Sequence, residues 1–145
     1  MRALVSRFAV NFEWAAERLT KRVADAVDAI EGVVAWVDEI FAFVRTPRRA
    51  ERVAVLGSIA ASRAEGAEVV AVEGRRLLVV PLLDAVRAGQ ADGSFTVDDP
   101  ELASELVAAA VLLAAGLTAP FERAIRFDQA GTTAFCLRAL GARRS

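Results

Sequence analysis

Apolar residues recur along this chain at three- and four-residue steps. In the first thirty positions Leu4, Phe8, Phe12, Ala15, Leu19, Val23, Ala26 and Ile30 keep that rhythm. Glu13, Glu17, Arg18, Lys21, Arg22, Asp25 and Asp28 fall largely on the other faces. The period is that of an amphipathic helix, and it predicts one long helix from residue 2 to about 29, free of glycine and proline. Gly32 interrupts the pattern. A second helix is expected over about 33–44, with Val33, Val37, Ile40, Phe41 and Val44 inward. Thr46 and Pro47 then supply an N-cap hydroxyl and a first-turn proline whose missing N–H costs nothing. The third helix runs to about Arg63 on an apolar face of Val53, Leu56, Ile59 and Ala60, and Gly66 marks the next join. A fourth spans about 67–88 and buries Val70, Leu77, Leu78, Leu82 and Val86, with a kink expected at Pro81.

The stretch "AGQADGSFTVDDPELA", residues 88–103, separates two apolar helices. Gly89 is placed to end the fourth helix in a left-handed conformation, and Gly93 permits a second bend. Phe95 is expected to fold back onto the core. Asp98 or Asp99 caps the next helix, Pro100 enters its first turn, and Glu101 complements the positive helix end. The fifth helix, about 99–117, is apolar on nearly every face through Leu102, Leu106, Val107, Val111, Leu112, Leu113 and Leu117. Such a helix must be surrounded. A sixth, about 119–141, follows Pro120 and carries Phe121, Ile125, Phe127, Ala130, Ala134, Phe135, Leu137 and Leu140. Its small residues, Gly131 to Ala134, permit close helix approach. Nothing alternates as a strand, so the expected fold class is all-α with six helices in a single domain, residues 1–145.

Composition changes this picture in one respect. The hydrophobic share is 55% without glycine, against about 45–50% with glycine in an average chain. The excess must be covered. The uncharged run from Leu106 to Phe121 is shorter than the ~20 apolar residues of a membrane span, and Gly116 and Pro120 interrupt it. A membrane is therefore not expected as the partner; another protein chain is. The net charge of −1 offers no basic face for nucleic acid. The N-terminus has no secretory pattern, and the single cysteine, Cys136, cannot form an intramolecular disulfide, so a reducing, cytoplasmic location is expected.

The chemistry is sparse. The chain has no histidine and no tyrosine, which excludes Ser–His and Cys–His nucleophiles and histidine metal sites. Cys136 stands at an apolar helical spacing and reads as a small buried hydrophobe. Asp98 and Asp99 read as caps rather than a metal pair, and the glycines lack phosphate-loop spacing. No catalytic residue, metal or cofactor is proposed by these residues, and an enzyme is not expected.

Residues 82–117, "LLDAVRAGQADGSFTVDDPELASELVAAAVLLAAGL", resemble the corner in the C-terminal domain of TetR-type bacterial transcriptional regulators. The family shows an apolar helix, an A-G-Q-A-D-G-x-F turn, and D-P-x-x-A opening a very apolar helix. Here these are Ala88, Gly89, Gln90, Ala91, Asp92, Gly93 and Phe95, then Asp99, Pro100 and Ala103. The terminal "FCLRALGA", Phe135 to Ala142, is similar to the family's last helix end, with Ala139 where a glycine is frequent.

The resemblance implies a six-helix effector-binding and dimerisation domain. Its last two helices would pair with those of a second subunit as a four-helix bundle, and its central helices would enclose a small apolar effector. The first residues are similar to the family's long connecting helix, so its helix-turn-helix domain is expected to lie outside this chain, and DNA would be met only through it. On this basis Leu106, Ala110, Leu113, Phe127, Ala134 and Leu137 are expected to face a partner subunit. Phe8, Phe12, Val37, Phe41, Ile59, Leu78 and Leu82 are expected to line the effector pocket, with Arg63, Glu73 and Arg75 near its mouth. The alternative is a free-standing dimerisation module that lacks its own DNA reader and pairs with full-length relatives.

Overall fold

The computed structural model describes residues 2–45, 67–117 and 127–143. Within them lie α1 (Arg2–Ala24), α2 (Ala29–Arg45), α3 (Ala67–Asp92), α4 (Pro100–Ala114) and α5 (Gln129–Ala139). The described residues are thus all-α. The third predicted helix, with Ile59 and Arg63, lies outside them, as does the opening of the sixth, with Phe121 and Ile125. Phe8 is in the backbone of α1, but its side chain also lies outside the description.

The first helix stops earlier than its apolar rhythm predicts. After Ala24 the chain turns through residues 25–28, and Asp28 restarts it by accepting the Glu31 N–H at 2.8 Å. An aspartate at that position satisfies one of the orphan donors of a new helix. Gly32, expected as the break, lies inside α2 and is buried. A Cβ there would stand 3.3 Å from the Ala85 Cβ of α3. The glycine serves a helix contact, not a helix end.

α3 runs through Pro81 to Asp92. Proline deprives the Leu77 carbonyl of its helical donor. The carbonyl beside it, of Leu78, accepts the buried Trp36 indole N–H at 2.9 Å. Gly89 does not end this helix; it is buried within it, and the Phe95 ring occupies the space a Cβ would need. The left-handed residue is Gly93, at φ 84°. Asp92 accepts the Ser94 N–H at 2.8 Å, and the Phe95 N–H returns to the Gly89 carbonyl at 3.0 Å. Phe95 is buried, as expected. Asp99 then caps α4 by accepting the Leu102 N–H at 3.1 Å, with Pro100 in the first turn.

The sixth predicted helix is also cut. Phe127 and Asp128 are not helical, and Asp128 caps α5 through the Gly131 N–H at 2.6 Å. α4 and α5 end alike, on Gly116 (φ 78°) and Gly141 (φ 64°). In each, two N–H groups fold back on the last turn: Leu117 to Leu112 and Gly116 to Leu113, then Ala142 to Leu137 and Gly141 to Arg138. This satisfies carbonyls that the helix itself leaves unpaired.

One core joins all five helices. α2 supplies Val33, Trp36, Val37, Ile40 and Phe41; around it stand Leu19, Leu82, Val86, Val107, Val111, Cys136 and Leu140. Leu77 was expected inside but is exposed. The buried face of α3 is set by Leu78, Leu82, Ala85, Val86 and Gly89, and Leu77 falls beyond its edge.

Candidate functional site

α4 and α5 lie antiparallel and are stitched at both ends. The Phe127 N–H donates to the Ala114 carbonyl at 3.1 Å. At the other end the Thr96 N–H donates to Leu140 at 3.0 Å and the Arg143 N–H to Ser94 at 2.8 Å. The sequence gives α4 two apolar stripes. Val107, Ala108, Val111 and Ala114 recur at helical spacing and are buried. Leu102, Leu106 and Leu113 form a second stripe on the opposite side and are exposed, Leu106 by 62%. On α5 Thr132 and Cys136 point in, whereas Phe135 and, just before the helix, Phe127 are exposed.

The residues expected at a subunit interface therefore fall in two groups. Leu106, Leu113 and Phe127 are exposed; Ala110, Ala134 and Leu137 are half-buried. Leu102, 56% exposed, continues the α4 stripe and is not among the residues expected there, whereas Phe135, also 56% exposed, stands on the opposite side of α5 from Leu137. Leu102 stands one helical turn before Leu106, and that spacing was the available signal. Leu102, Leu106 and Leu113 thus leave one side of α4 apolar and uncovered among the described residues.

The expected effector-pocket residues converge elsewhere. Val37 and Leu82 are fully buried, Phe41 and Leu78 nearly so, and all four belong to the core between α2 and α3. Phe12 is half-buried, its ring against Gly74 where no Cβ would fit. Of the groups expected near a mouth, Glu73 is exposed, and Arg75 pairs with Glu105 on α4 at 3.5 Å. An open cleft of about 680 Å³ lies at the α1–α2 turn. It is lined by Arg22, Asp25, Asp28, Glu31, Ser94 and Arg143 among others, and by none of the expected pocket residues.

A polar cluster between α1, α2 and α5 was not anticipated. Glu39 is only 1% exposed, among the apolar residues that α2 buries. Its two oxygens accept from Arg18 Nε at 2.7 Å and Arg22 Nη1 at 3.0 Å. The neighbouring Asp38 accepts from Arg22 Nη2 at 3.0 Å, Arg45 Nη2 at 3.2 Å and Gln129 Nε2 at 2.9 Å. Arg45 Nη1 also donates to Gln129 Oε1 at 3.1 Å. The Gln129 amide, followed by the Arg22 and Arg45 guanidinium groups, holds the Asp38 carboxyl below its ordinary range against the cost of partial burial. The Asp38 hydrogen bond in turn raises Arg22. Arg18 also lies over the Trp14 ring, 5.4 Å from its centroid. The pairs Arg18–Arg22 and Asp38–Glu39 were the sequence signal, on helices that the chain folds against each other.

Cys136 is fully buried, and burial pushes its thiol up to about 11. It is an apolar packing group and not a nucleophile at neutral pH. Among the described residues no cluster of histidine, cysteine and carboxylates could hold a metal ion, and no helix is long and apolar enough to cross a membrane. No family model, no curated protein and no solved structure matches the chain.

Proposed function

We propose that this chain is the effector-binding and dimerisation portion of a TetR-like bacterial transcriptional regulator, acting in the cytoplasm as a homodimer. The observation that carries the reading is the antiparallel α4–α5 pair, with Leu102, Leu106 and Leu113 exposed along one side of α4 and Phe127 exposed just before α5. Two such pairs related by a two-fold axis make a four-helix bundle. Each half-exposed leucine or phenylalanine then buried contributes about 1 kcal/mol, and an isologous interface counts each one twice. The family reading rests on the resemblance of the 88–103 corner, where Asp99 caps α4 and Gly93 turns the chain. In this reading a small apolar effector enters among Val37, Phe41, Leu78 and Leu82, which pack together as core and must part to admit it. DNA is met through a helix-turn-helix domain outside this chain, and the effector acts by binding the two spacings of the dimer unequally.

Light scattering on the purified chain tests the central point. A mass twice the 15.5 kDa of the chain at micromolar concentration is expected; a folded monomer would reject the dimer. For the effector, Trp36 is a buried reporter beside the proposed interior. Its fluorescence should shift when naphthalene is titrated, and an unchanged spectrum at saturation would remove the apolar-effector reading.

A further inference from the structure

Gln129 is the first residue of α5 and stands two positions after Phe127 of the outward apolar face. Its side-chain amide is fully engaged by α2: Nε2 donates to Asp38 Oδ1 at 2.9 Å and Oε1 accepts from Arg45 at 3.1 Å. Arg45 reaches the same Asp38 oxygen at 3.2 Å, so the three side chains close a ring that fixes the amide's orientation. The other Asp38 oxygen belongs to α1, through Arg22 at 3.0 Å. Arg22 is held in turn by the buried Glu39, which Arg18 also grips. An unbroken run of contacts therefore passes from α1 through the Asp38–Glu39 pair to the start of α5. Elsewhere α1 packs on α2 and α3, and α5 on α2 and α4.

We propose that the Asp38–Gln129 contact is a coupling link, through which the position of α1 sets the start of α5 and so the face that a second copy covers. The inference rests on the dimer reading of that face. Charge-assisted hydrogen bonds are directional, so a small turn of α1 that moves Arg22 turns the Asp38 carboxylate with it, and Oδ1 carries the Gln129 amide along. The Asp128 cap, adjacent to Gln129, is the first structure to feel the change. The coupling is reciprocal, so dimerisation also steadies α1.

The test is a double-mutant cycle on the full chain, with Arg22→Ala, Gln129→Ala and both together. The dimer dissociation constant is read by sedimentation, and amide exchange at Gly131 and Thr132, the two N–H groups held by Asp128, is read by NMR. Each single variant is expected to weaken the dimer about 5-fold or more and to speed exchange at both amides. The double variant should be no weaker than Gln129→Ala alone, because contacts in series are non-additive. Arg22→Lys, which keeps the charge and loses the two-nitrogen fork that spans Glu39 and Asp38, should fall between wild type and Arg22→Ala, and it serves if the alanine variants fold poorly. An unchanged dissociation constant and unchanged exchange in Arg22→Ala, or losses that simply add, would overturn the link. A wild-type chain that never dimerises sinks the dimer reading, and with it the link as a control of dimerisation. Faster Gly131 exchange in Arg22→Ala would then still show α1 and α5 to be joined.

Discussion

α2 and α4 are both too apolar for an ordinary surface, and the chain treats them differently. α2 is enclosed: α1 and α3 pack on it, Trp36, Val37 and Val33 are fully buried, and arginines from α1 neutralise its one acidic edge. α4 is enclosed on one side only; Val107, Ala108 and Val111 are buried while Leu102, Leu106 and Leu113 remain outside. The contrast separates two reasons for apolarity. One helix is apolar because it is the centre of a domain. The other buries one side in the domain and leaves a second apolar side uncovered among the described residues.

Substitution should pull these reasons apart. The largest effect is expected at Trp36, where alanine leaves a cavity at the centre of the core and removes the indole donor to Leu78. A loss of about 3–5 kcal/mol is expected, visible as a large drop in the urea midpoint. Leu106→Asp should behave in the opposite way. Measured below the dissociation concentration, its unfolding free energy should stay within ~0.5 kcal/mol of wild type. Its dimer dissociation constant should rise by about 100-fold, because a carboxylate would be desolvated on each side of the interface. If Leu106→Asp unfolds the isolated chain as Trp36→Ala does, the two helices are not different in kind.

Much of this contrast is legible in the sequence, and the exceptions have physical causes. The inward row of α2, the Asp99 cap and the bend at Gly93 follow from period and turn chemistry alone, whereas the helix end expected at Gly89 falls instead at Gly93. The stop at residues 25–28 was hidden because Ala26 and Ile30 keep the apolar rhythm across it, and Gly32 drew attention to the wrong place. Gly89 and Gly32 are close-contact residues, and a contact depends on the partner's position, not on local pattern. Asp128 was hidden in a helical period in the same way. The polar cluster joins residues up to 91 positions apart, so no local window contains it.

A smaller test probes the inner side of α4. Ser104 Oγ is buried and has no hydrogen-bond partner among the described residues. An unsatisfied buried hydroxyl costs about 1–3 kcal/mol, and alanine is also the better helix former. Ser104→Ala should therefore stabilise the chain by about 1 kcal/mol, measured as a higher urea midpoint, and leave the dimer constant alone. A destabilised variant would mean that the inner side of α4 uses this hydroxyl and is not simply core.

The smallest expected effect concerns the acidic edge of α2. Asp38 is held below its ordinary range by Gln129 first and then by Arg22 and Arg45, with Glu39 as its charged neighbour. A carboxyl with a lowered folded pKa stabilises the fold fully above its unfolded value near 4, and the contribution is lost as pH falls through the lowered value. Because Asp38 is about one-third exposed, solvent screening keeps the contribution below ~1 kcal/mol. Wild type should therefore exceed Asp38→Asn in urea midpoint at pH 7 by a small margin, and the two should converge as the pH falls below 4. Leu106→Ala, which removes no contact to a carboxylate, should keep the same offset from wild type throughout. A gap between wild type and Asp38→Asn that persists unchanged into acid would mean that shape, not charge, holds α1 and α5 to α2.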